Sequence, residues 1–441
     1  MHFLHRAVGI ISALLVSYLL QAQNPITPPG IFIADPEAHL WNDGRLYIYG
    51  SRDESDDYWC SHSYHVLSTE DLVNWQLDMD VFASNGARDQ VPDHDKLLFA
   101  PDVAFKDGSY FLYYCSPGDP KTEGVATSKF PTGPFTNGKQ IMGAWGIDPA
   151  VLIDYDGQGY YYWGQGNAKV ARLKTNMIEI DTSDIRTPLD AAGAKAFHEG
   201  SSIRKVGDWY YLVFADDSRQ GRPTCLGYAM SKSPLGPFEY KGIIIDNFGS
   251  DPSAWNNHGS IELFDDQWYV FYHRPTNNSR KFRKACVEPI YFREDGTIKE
   301  VEMTTQGALG KPLKAKGLHQ AESACLLQGN VCIKTDFTSD LPVDRLAAIK
   351  SGDWAAYKYI DFSEAVTSFR IKTRQSTGGT VELRLGSPSG VLIATCSIQP
   401  SQDDQVSEVS LSKYTNGVHA LYLVFRGQSD ELFEIDWFQF F

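Results

Sequence analysis

The chain of 441 residues is long enough to bury a large core, and we expect two domains. Its formal net charge of −15 at pH 7 argues against nucleic acid or an anionic membrane surface as a partner, because both would repel the protein. An aromatic content of 13%, spread along the chain, is typical of a sheet-rich fold and also suits sugar binding by ring stacking.

The chain begins with a short apolar run. His2, His5 and Arg6 precede an uncharged stretch over residues 7–20, which "QAQN" follows. This pattern predicts a secretory signal peptide over residues 1–22 and therefore export to the periplasm or the cell exterior. The apolar run is short for a bilayer span, so we do not expect membrane insertion.

Five related segments occupy residues 23–312. Each starts with a polar residue, continues as a short apolar strand and a turn, and ends as an aromatic strand. Their starting residues lie 46 to 67 positions apart, which is the size of one propeller blade. The sequence therefore predicts an all-β fold with a five-bladed β-propeller. The segments are "DPEAHLWNDGRLYIYGS", "PDVAFKDGSYFLYYCS", "DPAVLIDYDGQGYYYWG", "EGSSIRKVGDWYYLVFAD" and "HGSIELFDDQWYVFYHR".

The starting residues of the five segments are all ionisable. In a propeller the innermost strands line a central channel, so we expect these residues to meet at one end of it. Four carboxylates placed together repel one another and shift one another's pKa values, which indicates a functional site rather than simple strand starts. The five residues are Asp35, Asp102, Asp148, Glu199 and His258.

The order Asp-Pro, Ala-Pro-Asp, Ile-Asp-Pro-Ala, Glu-Gly and His-Gly across the repeats resembles glycoside hydrolase family 43. The resemblance covers roughly residues 30–312 and implies a five-bladed propeller that cleaves arabinofuranosides, xylosides or related linkages. It also implies that Asp35 is the general base and Glu199 the general acid. Asp148 would then position the acid and tune its pKa.

Further roles follow from the same resemblance. It places Asp102 in the substrate pocket and His258 near a central calcium ion. Phe99, just before "APDV", offers an aromatic platform for a sugar ring. Arg274 ends the fifth aromatic strand, from which we expect it to reach a sugar hydroxyl.

The residue types also suit the chemistry directly. Glycoside hydrolysis with inversion needs one protonated carboxyl group and one carboxylate, about 6.5–9.5 Å apart. We expect an exo-acting α-L-arabinofuranosidase on plant cell-wall polysaccharide or its oligosaccharides, with β-xylosidase or galactan-active hydrolase as alternatives. A lyase or fructan-active relative would retain configuration through a shorter gap. A sugar-binding propeller without catalysis is a further alternative, against which the intact carboxylates argue.

Residues 313–441 alternate as short strands and predict a β-sandwich. "QAES", "SGDWAAYKYIDF" and "FEIDWFQF" resemble carbohydrate-binding module family 6. By this resemblance Glu322 and Asp436 would help to hold a structural calcium ion. Trp354 and Tyr357 would lie near a sugar-binding cleft.

Every predicted catalytic residue precedes the "GALGKPLKAKG" linker at 307–317. We therefore expect the sandwich to be dispensable for turnover of small glycosides. We also expect a monomer whose partner is an oligo- or polysaccharide.

Overall fold

The computed structural model describes residues 23–91, 96–118, 122–219, 221–338 and 341–441, so the predicted signal segment lies outside the described residues. Within these ranges the protein is almost entirely β-structure, and the predicted fold class is confirmed. One short α-helix, α1 (Ala191–Ala196), is found in these ranges. No helix there has the length and apolar character needed to cross a membrane. Four 3₁₀ helices cover Gly86–Arg88, Thr182–Asp184, Gly307–Leu309 and Ala321–Ser323.

The described residues between positions 23 and 289 contribute five antiparallel sheets arranged as propeller blades. Blade I contains β1 (Ile33–Leu40), β2 (Leu46–Arg52), β3 (Ser63–Thr69) and β4 (Trp75–Ala83). Blade II contains β5 (Phe99–Lys106), β6 (Ser109–Ser116), β7 (Thr122–Ser128) and β8 (Thr136–Gln140). Blade III contains β9 (Ala150–Ile153), β10 (Gly159–Trp163) and β11 (Lys169–Arg172). Blade IV contains β12 (Phe197–Val206), β13 (Trp209–Asp216), β14 (Cys225–Ser231) and β15 (Glu239–Asp246). Blade V contains β16 (Ser260–Phe264), β17 (Gln267–Thr276) and β18 (Ser279–Pro289).

The innermost strands of the blades form the ring. Strand β1 contacts both β16 and β5, and β9 contacts β5 and β12. Apolar side chains fill the space between neighbouring blades: Val213 and Leu226 of blade IV pack in one cluster with Ile261 and Val270 of blade V. Because side chains alternate along a strand, each blade presents an apolar face to both neighbours.

The chain before β1 closes the ring. The Asn24 side chain is buried beside β18, where its Nδ2 donates to the Val287 carbonyl at 3.0 Å and its Oδ1 accepts from the Val287 N–H at 2.9 Å. Two residues on, the Ile26 N–H donates to the Ala285 carbonyl at 2.9 Å. The start of the described chain thus lies along the outer strand of the last blade.

The C-terminal part forms two packed sheets around a large apolar core. One sheet contains β19 (Leu313–Lys314), β21 (Leu326–Gln328), β24 (Trp354–Asp361), β26 (Gly379–Leu385), β27 (Val391–Ile398) and β29 (Val418–Arg426). The other contains β20 (Leu318–Gln320), β22 (Cys332–Asp336), β23 (Val343–Ala347), β25 (Ser368–Arg374), β28 (Gln405–Ser410) and β30 (Glu434–Phe440). This is the predicted β-sandwich.

Candidate active site

A cavity of about 240 Å³ lies where the innermost strands of the propeller begin. Four of the five predicted starting residues line it, and Phe99 contributes to its wall. Its other lining residues come from loops, from β12 of blade IV and from blade V. The lining is Asp35, Trp59, Cys60, Phe99, Ile147, Asp148, Gln165, His198, Glu199, Pro223, Trp255, Asn256, Asn257, His258, His273 and Arg283.

Asp35 interrupts the regular pairing of β1. The register shifts between Ala34 and Glu37, and Asp35 has a φ of 54°, a left-handed conformation that is uncommon for a residue with a side chain. Its Oδ2 accepts from the Ser51 hydroxyl at 2.6 Å, and its Oδ1 accepts from Arg283 Nη1 at 2.9 Å. Burial alone would raise the pKa of Asp35, but the charges of Arg283 and His258 hold it well below the usual range. Asp35 is therefore a carboxylate at any pH near neutrality.

Arg283 is itself fixed by a second carboxylate. Its Nε and Nη2 donate to the two oxygens of Asp53, each at 2.8 Å, while Nη1 reaches Asp35. Both partners are almost completely buried. A bidentate Arg–carboxylate pair has little rotational freedom, so the guanidinium is held in place against Asp35.

Two histidines contact Asp35 in different protonation states. The Asp35 N–H donates to His273 Nδ1 at 3.1 Å, so His273 carries its proton on Nε2, which faces Asn256 Oδ1 at 2.7 Å. Burial and the charge of Arg283 lower the pKa of His273 to about 3, and the ring is neutral. His258 Nδ1 lies 3.5 Å from Asp35 Oδ1. Burial alone would lower the pKa of His258, but the three carboxylates around it raise it to about 9.

Asp148 and Glu199 form a second acidic pair. Asp148 is buried and has a φ of 58°, whereas the side chain of Glu199 is 28% exposed in an irregular part of β12. Burial and the neighbouring charge of Glu199 raise the pKa of Asp148 to about 8. Gln165 Nε2 donates to Glu199 Oε2 at 2.8 Å and fixes one carboxyl oxygen. At neutral pH the pair of Asp148 and Glu199 therefore carries a proton, whereas Asp35 is ionised.

Aromatic rings form one wall of the cavity. Trp59 and Trp255 meet edge to face, with centroids 6.3 Å apart. The Arg280 guanidinium lies over Trp255 at 4.2 Å, and that of Arg283 over Trp59 at 5.0 Å. Flat rings beside acidic groups are typical of sugar sites, because C–H faces of a pyranose or furanose stack on them.

Two predicted substrate contacts are not brought to this cavity. Asp102 is fully buried in β5, where it accepts from the Val151 N–H and faces His39 Nε2, each at 2.6 Å. Arg274 is also buried, and its Nη2 donates to the Tyr272 hydroxyl at 2.6 Å. The structure does not support the predicted substrate contacts of either residue.

Asp102 belongs instead to a buried group with Glu37 and His39. Potential ligand atoms of the three residues all lie within 4.8 Å of one another, so the group could hold a metal ion. An internal cation already offsets part of its charge, because Arg204 Nη2 lies 2.7 Å from Glu37 Oε1. Burial raises the pKa of Asp102 to about 7.

The structure places His258 against Asp35 and outside the group of Glu37, His39 and Asp102. The positive charge of His258 lies among Asp35, Asp148 and Glu199 and offsets their repulsion directly.

The residues predicted to hold a second calcium ion lie in the sandwich. Glu322 and Asp436 line a cavity that the chain before β1 also borders. Among the residues that the structure describes, buried Glu322 Oε2 has no hydrogen-bond partner. Burial and the charge of Asp344 raise the pKa of Glu322 to about 8. An orphaned carboxylate oxygen beside two further carboxylates fits a cation bound by oxygen ligands.

The two aromatic candidates of the sandwich differ in exposure. Tyr357 is fully buried and donates to the Ala321 carbonyl at 2.8 Å, so it offers no surface to a sugar. Trp354 is half-buried and packs edge to face on Tyr422, with centroids 5.3 Å apart.

Sequence reasoning missed several residues of the cavity. Trp255 stands three positions before His258 in "AWNNHG", a signal that was available. Arg283 and His273 gave no comparable signal, because their functional contacts are with Asp35, more than 200 positions away.

Comparison with known proteins agrees with this site. The sequence profile of Glycosyl hydrolases family 43 matches residues 22–298, which is more than half of the chain. The chain belongs to glycoside hydrolase family 43. The profile of Carbohydrate binding module (family 6) matches residues 320–441 of this family 43 hydrolase.

Individual relatives share both parts of the chain. A xylosidase/arabinosidase from Thermoclostridium stercorarium is 29% identical over 92% of this chain and 96% of its own length. An arabinoxylan arabinofuranohydrolase from Paenibacillus polymyxa is 30% identical over 92% of this chain and 72% of its own. The crystal structure of a family 43 arabinoxylan arabinofuranohydrolase from Bacillus subtilis, in complex with cellotetraose, matches with a TM-score of 0.55 at 27% identity. That match covers 96% of this chain and 99% of the other.

Proposed function

We propose that this family 43 hydrolase removes α-L-arabinofuranosyl groups from plant cell-wall polysaccharide or its oligosaccharides, with inversion at the anomeric carbon. The observation that carries the mechanism is the different environment of its two acidic sites: Asp35 accepts from Arg283, whereas Asp148 is buried beside the like charge of Glu199. Asp35 is held as a carboxylate by Arg283, while the pair of Asp148 and Glu199 retains a proton. One carboxylate and one protonated carboxyl group are what hydrolysis by a single displacement requires.

In this mechanism Asp35 accepts a proton from a water molecule as the water oxygen attacks the anomeric carbon. The bond between that carbon and the glycosidic oxygen breaks, and Glu199 donates its proton to the departing oxygen. Burial of Asp148 and its like-charge repulsion with Glu199 raise the pKa of Asp148 and keep a proton on the pair. Atoms and charge balance: Asp35 gains the proton that water loses, and Glu199 loses the proton that the leaving oxygen gains.

The names of the relatives support the choice of sugar. The two relatives described above are a xylosidase/arabinosidase and an arabinoxylan arabinofuranohydrolase. β-Xylosidase activity is the second candidate, because a "Beta-xylosidase" from Xylanibacter ruminicola is 28% identical over 62% of this chain.

A panel of nitrophenyl glycosides tests the substrate, and proton NMR of the first product tests the stereochemistry. We expect faster turnover of the α-L-arabinofuranoside than of the β-D-xyloside or a galactoside. The first sugar released should have the anomeric configuration opposite to that of the substrate. Release of a product with retained configuration would contradict the assignment of Asp35 as a base.

We also propose a structural calcium ion held by Glu322 and Asp436, supported by the orphaned oxygen of Glu322. Such an ion would supply positive charge to a buried acidic group and would take no part in bond breaking. On the propeller axis, the group of Glu37, His39 and Asp102 is a better candidate for a cation than His258.

Export is proposed as well, on the apolar run over residues 7–20. Finding the mature protein in the cytoplasm with residues 1–22 intact would contradict it.

A further inference from the structure

Strand β18 carries the arginine that holds Asp35, and its next residue faces the sandwich. Adjacent side chains on a strand point to opposite faces, so Arg283 faces the cavity and Lys284 faces away from it. Lys284 Nζ lies 2.6 Å from Asp344 Oδ2 of β23 and also donates to the Pro28 carbonyl at 3.0 Å. The side chains of Lys284 and Asp344 are 1% and 2% exposed. The catalytic strand is therefore bound to the sandwich through a fully buried ion pair.

The turn that begins β18 is held by the same domain. The Asn277 N–H donates to the Ile333 carbonyl at 2.6 Å, and Asn277 Oδ1 accepts from the Thr335 N–H at 3.1 Å. Both partners belong to β22. These bonds hold the turn two residues before the start of β18 and three residues before Arg280, which lies over Trp255.

A second connection reaches the loop that carries Trp255 and His258. The Leu327 N–H of β21 donates to the Gly249 carbonyl at 2.7 Å, close to the beginning of this loop. Near it, Asn247 Nδ2 donates to the carbonyls of Asn256 and His273, each at 2.8 Å. The sandwich thus contacts both segments of blade V that form one side of the cavity.

We propose that the sandwich is a structural part of the catalytic site, in which Asp344 positions β18 and thereby places Arg283 against the base Asp35. This inference rests on the proposed function and replaces our expectation that the sandwich is dispensable for turnover. Asp344 and Lys284 are positioning residues, because neither touches the cavity. Small displacements of a catalytic group can reduce turnover by about 100-fold.

The test is the variant Asp344→Asn, which keeps the size of the side chain and its bond to the Thr335 hydroxyl but leaves Lys284 without a counter-charge. Activity is measured at a temperature at which circular dichroism shows the variant fully folded. We expect kcat to fall by about 10- to 100-fold. The fall should be equal for a dinitrophenyl glycoside and for an oligosaccharide, because water activation by Asp35 is needed for both leaving groups. KM should change less than kcat.

The matched control is Phe369→Leu, which lies in the sandwich core and away from β18. It should lower the melting temperature without changing kcat, since general destabilisation of the sandwich does not move Arg283. If Asp344→Asn does not accumulate as folded protein, Asn277→Gly carries the test. Glycine tolerates the left-handed φ of 57° at this position, and the change removes the side-chain bond to the Thr335 N–H while the backbone bond to the Ile333 carbonyl remains.

Three outcomes separate the possibilities. A loss of kcat in Asp344→Asn or Asn277→Gly, with wild-type kcat in Phe369→Leu, supports the inference. Wild-type kcat in all folded variants overturns it, as does an equal loss in Phe369→Leu. If the unmodified protein hydrolyses no glycoside, the proposed function itself is wrong. This result differs from the two outcomes that test the role of the sandwich.

Discussion

At the scale of single residues, the acid and the base differ in their environment and should differ in their substrate dependence. Asp35→Asn removes activation of water, which every substrate needs, so we expect kcat to fall by about 10²- to 10⁴-fold on all substrates. Glu199→Gln should cost as much on an oligosaccharide but little on a dinitrophenyl glycoside, whose leaving group departs without a proton. Steady-state kinetics on both substrates measure the difference. The same leaving-group dependence in both variants would contradict the assigned roles.

The proton shared by Asp148 and Glu199 should determine the basic limb of the pH profile. Because burial and the charge of Glu199 raise the pKa of Asp148 to about 8, the pair loses its proton as the pH rises through that value, and kcat/KM should fall there. Asp148→Asn removes one of the two like charges, so the limb should move to lower pH.

A control for this effect is Asp217→Asn, which removes a partly exposed carboxylate that lies 3.8 Å from His198 and does not line the cavity. Its basic limb should stay in place. A limb that is unchanged in Asp148→Asn would show that another group supplies the proton.

At the scale of elements, the loops that carry Trp59 and Trp255 should contribute to binding more than to bond breaking. Trp255→Ala removes a ring from the cavity wall, and we expect KM to rise by about 5- to 10-fold for the loss of roughly 1 kcal/mol of stacking. The effect on kcat should be smaller. Trp209→Ala is the matched control, because that ring packs under Lys232 outside the cavity. Equal KM values in the two variants would exclude Trp255 from the sugar site.

The repeated hairpins could be predicted because each is specified locally, by a turn and by alternating apolar residues. The convergence of Asp35, Asp148, Glu199 and His258 followed from the repeat alone. The error at Arg274 has a simple cause: its neighbour His273 faces the cavity, so alternation turns Arg274 to the opposite side.

Arg283 could not be identified in the same way. It stands in "SRKFRKAC", where basic side chains occur on both faces of the strand, so alternation could not show which one meets Asp35. The contact joins the first blade to the last and depends on closure of the ring. The different orientation of the Asp102 side chain could not be predicted either. Asp35 and Asp148 have positive φ values, whereas Asp102 follows a register shift and pairs with Tyr113 inside β5.

At the scale of the whole molecule, removal of calcium should lower the stability of the protein without stopping turnover. If an ion lies at Glu322 and Asp436, EDTA should reduce the melting temperature by several degrees, and added calcium should restore it. Glu322→Gln should melt at the same temperature with and without EDTA. Differential scanning calorimetry makes the comparison. If the unmodified protein has the same melting temperature with and without EDTA, the proposed calcium site is wrong.

Because Asn24 closes the propeller, a segment that is synthesised early can fold into place only after the last blade has been synthesised. This residue is among the first described in the chain, yet its partners are Val287 and the Thr304 carbonyl, which are synthesised 263 and 280 positions later. Until then the first blade has no neighbour on one side, and its apolar face stays accessible to chaperones or to other chains. Stalled nascent chains that expose residues only to about 250 should therefore remain sensitive to protease in blade I. In chains that expose residue 312, blade I and β18 should become resistant to protease together. The segment before β1 would then be synthesised first and would pack last.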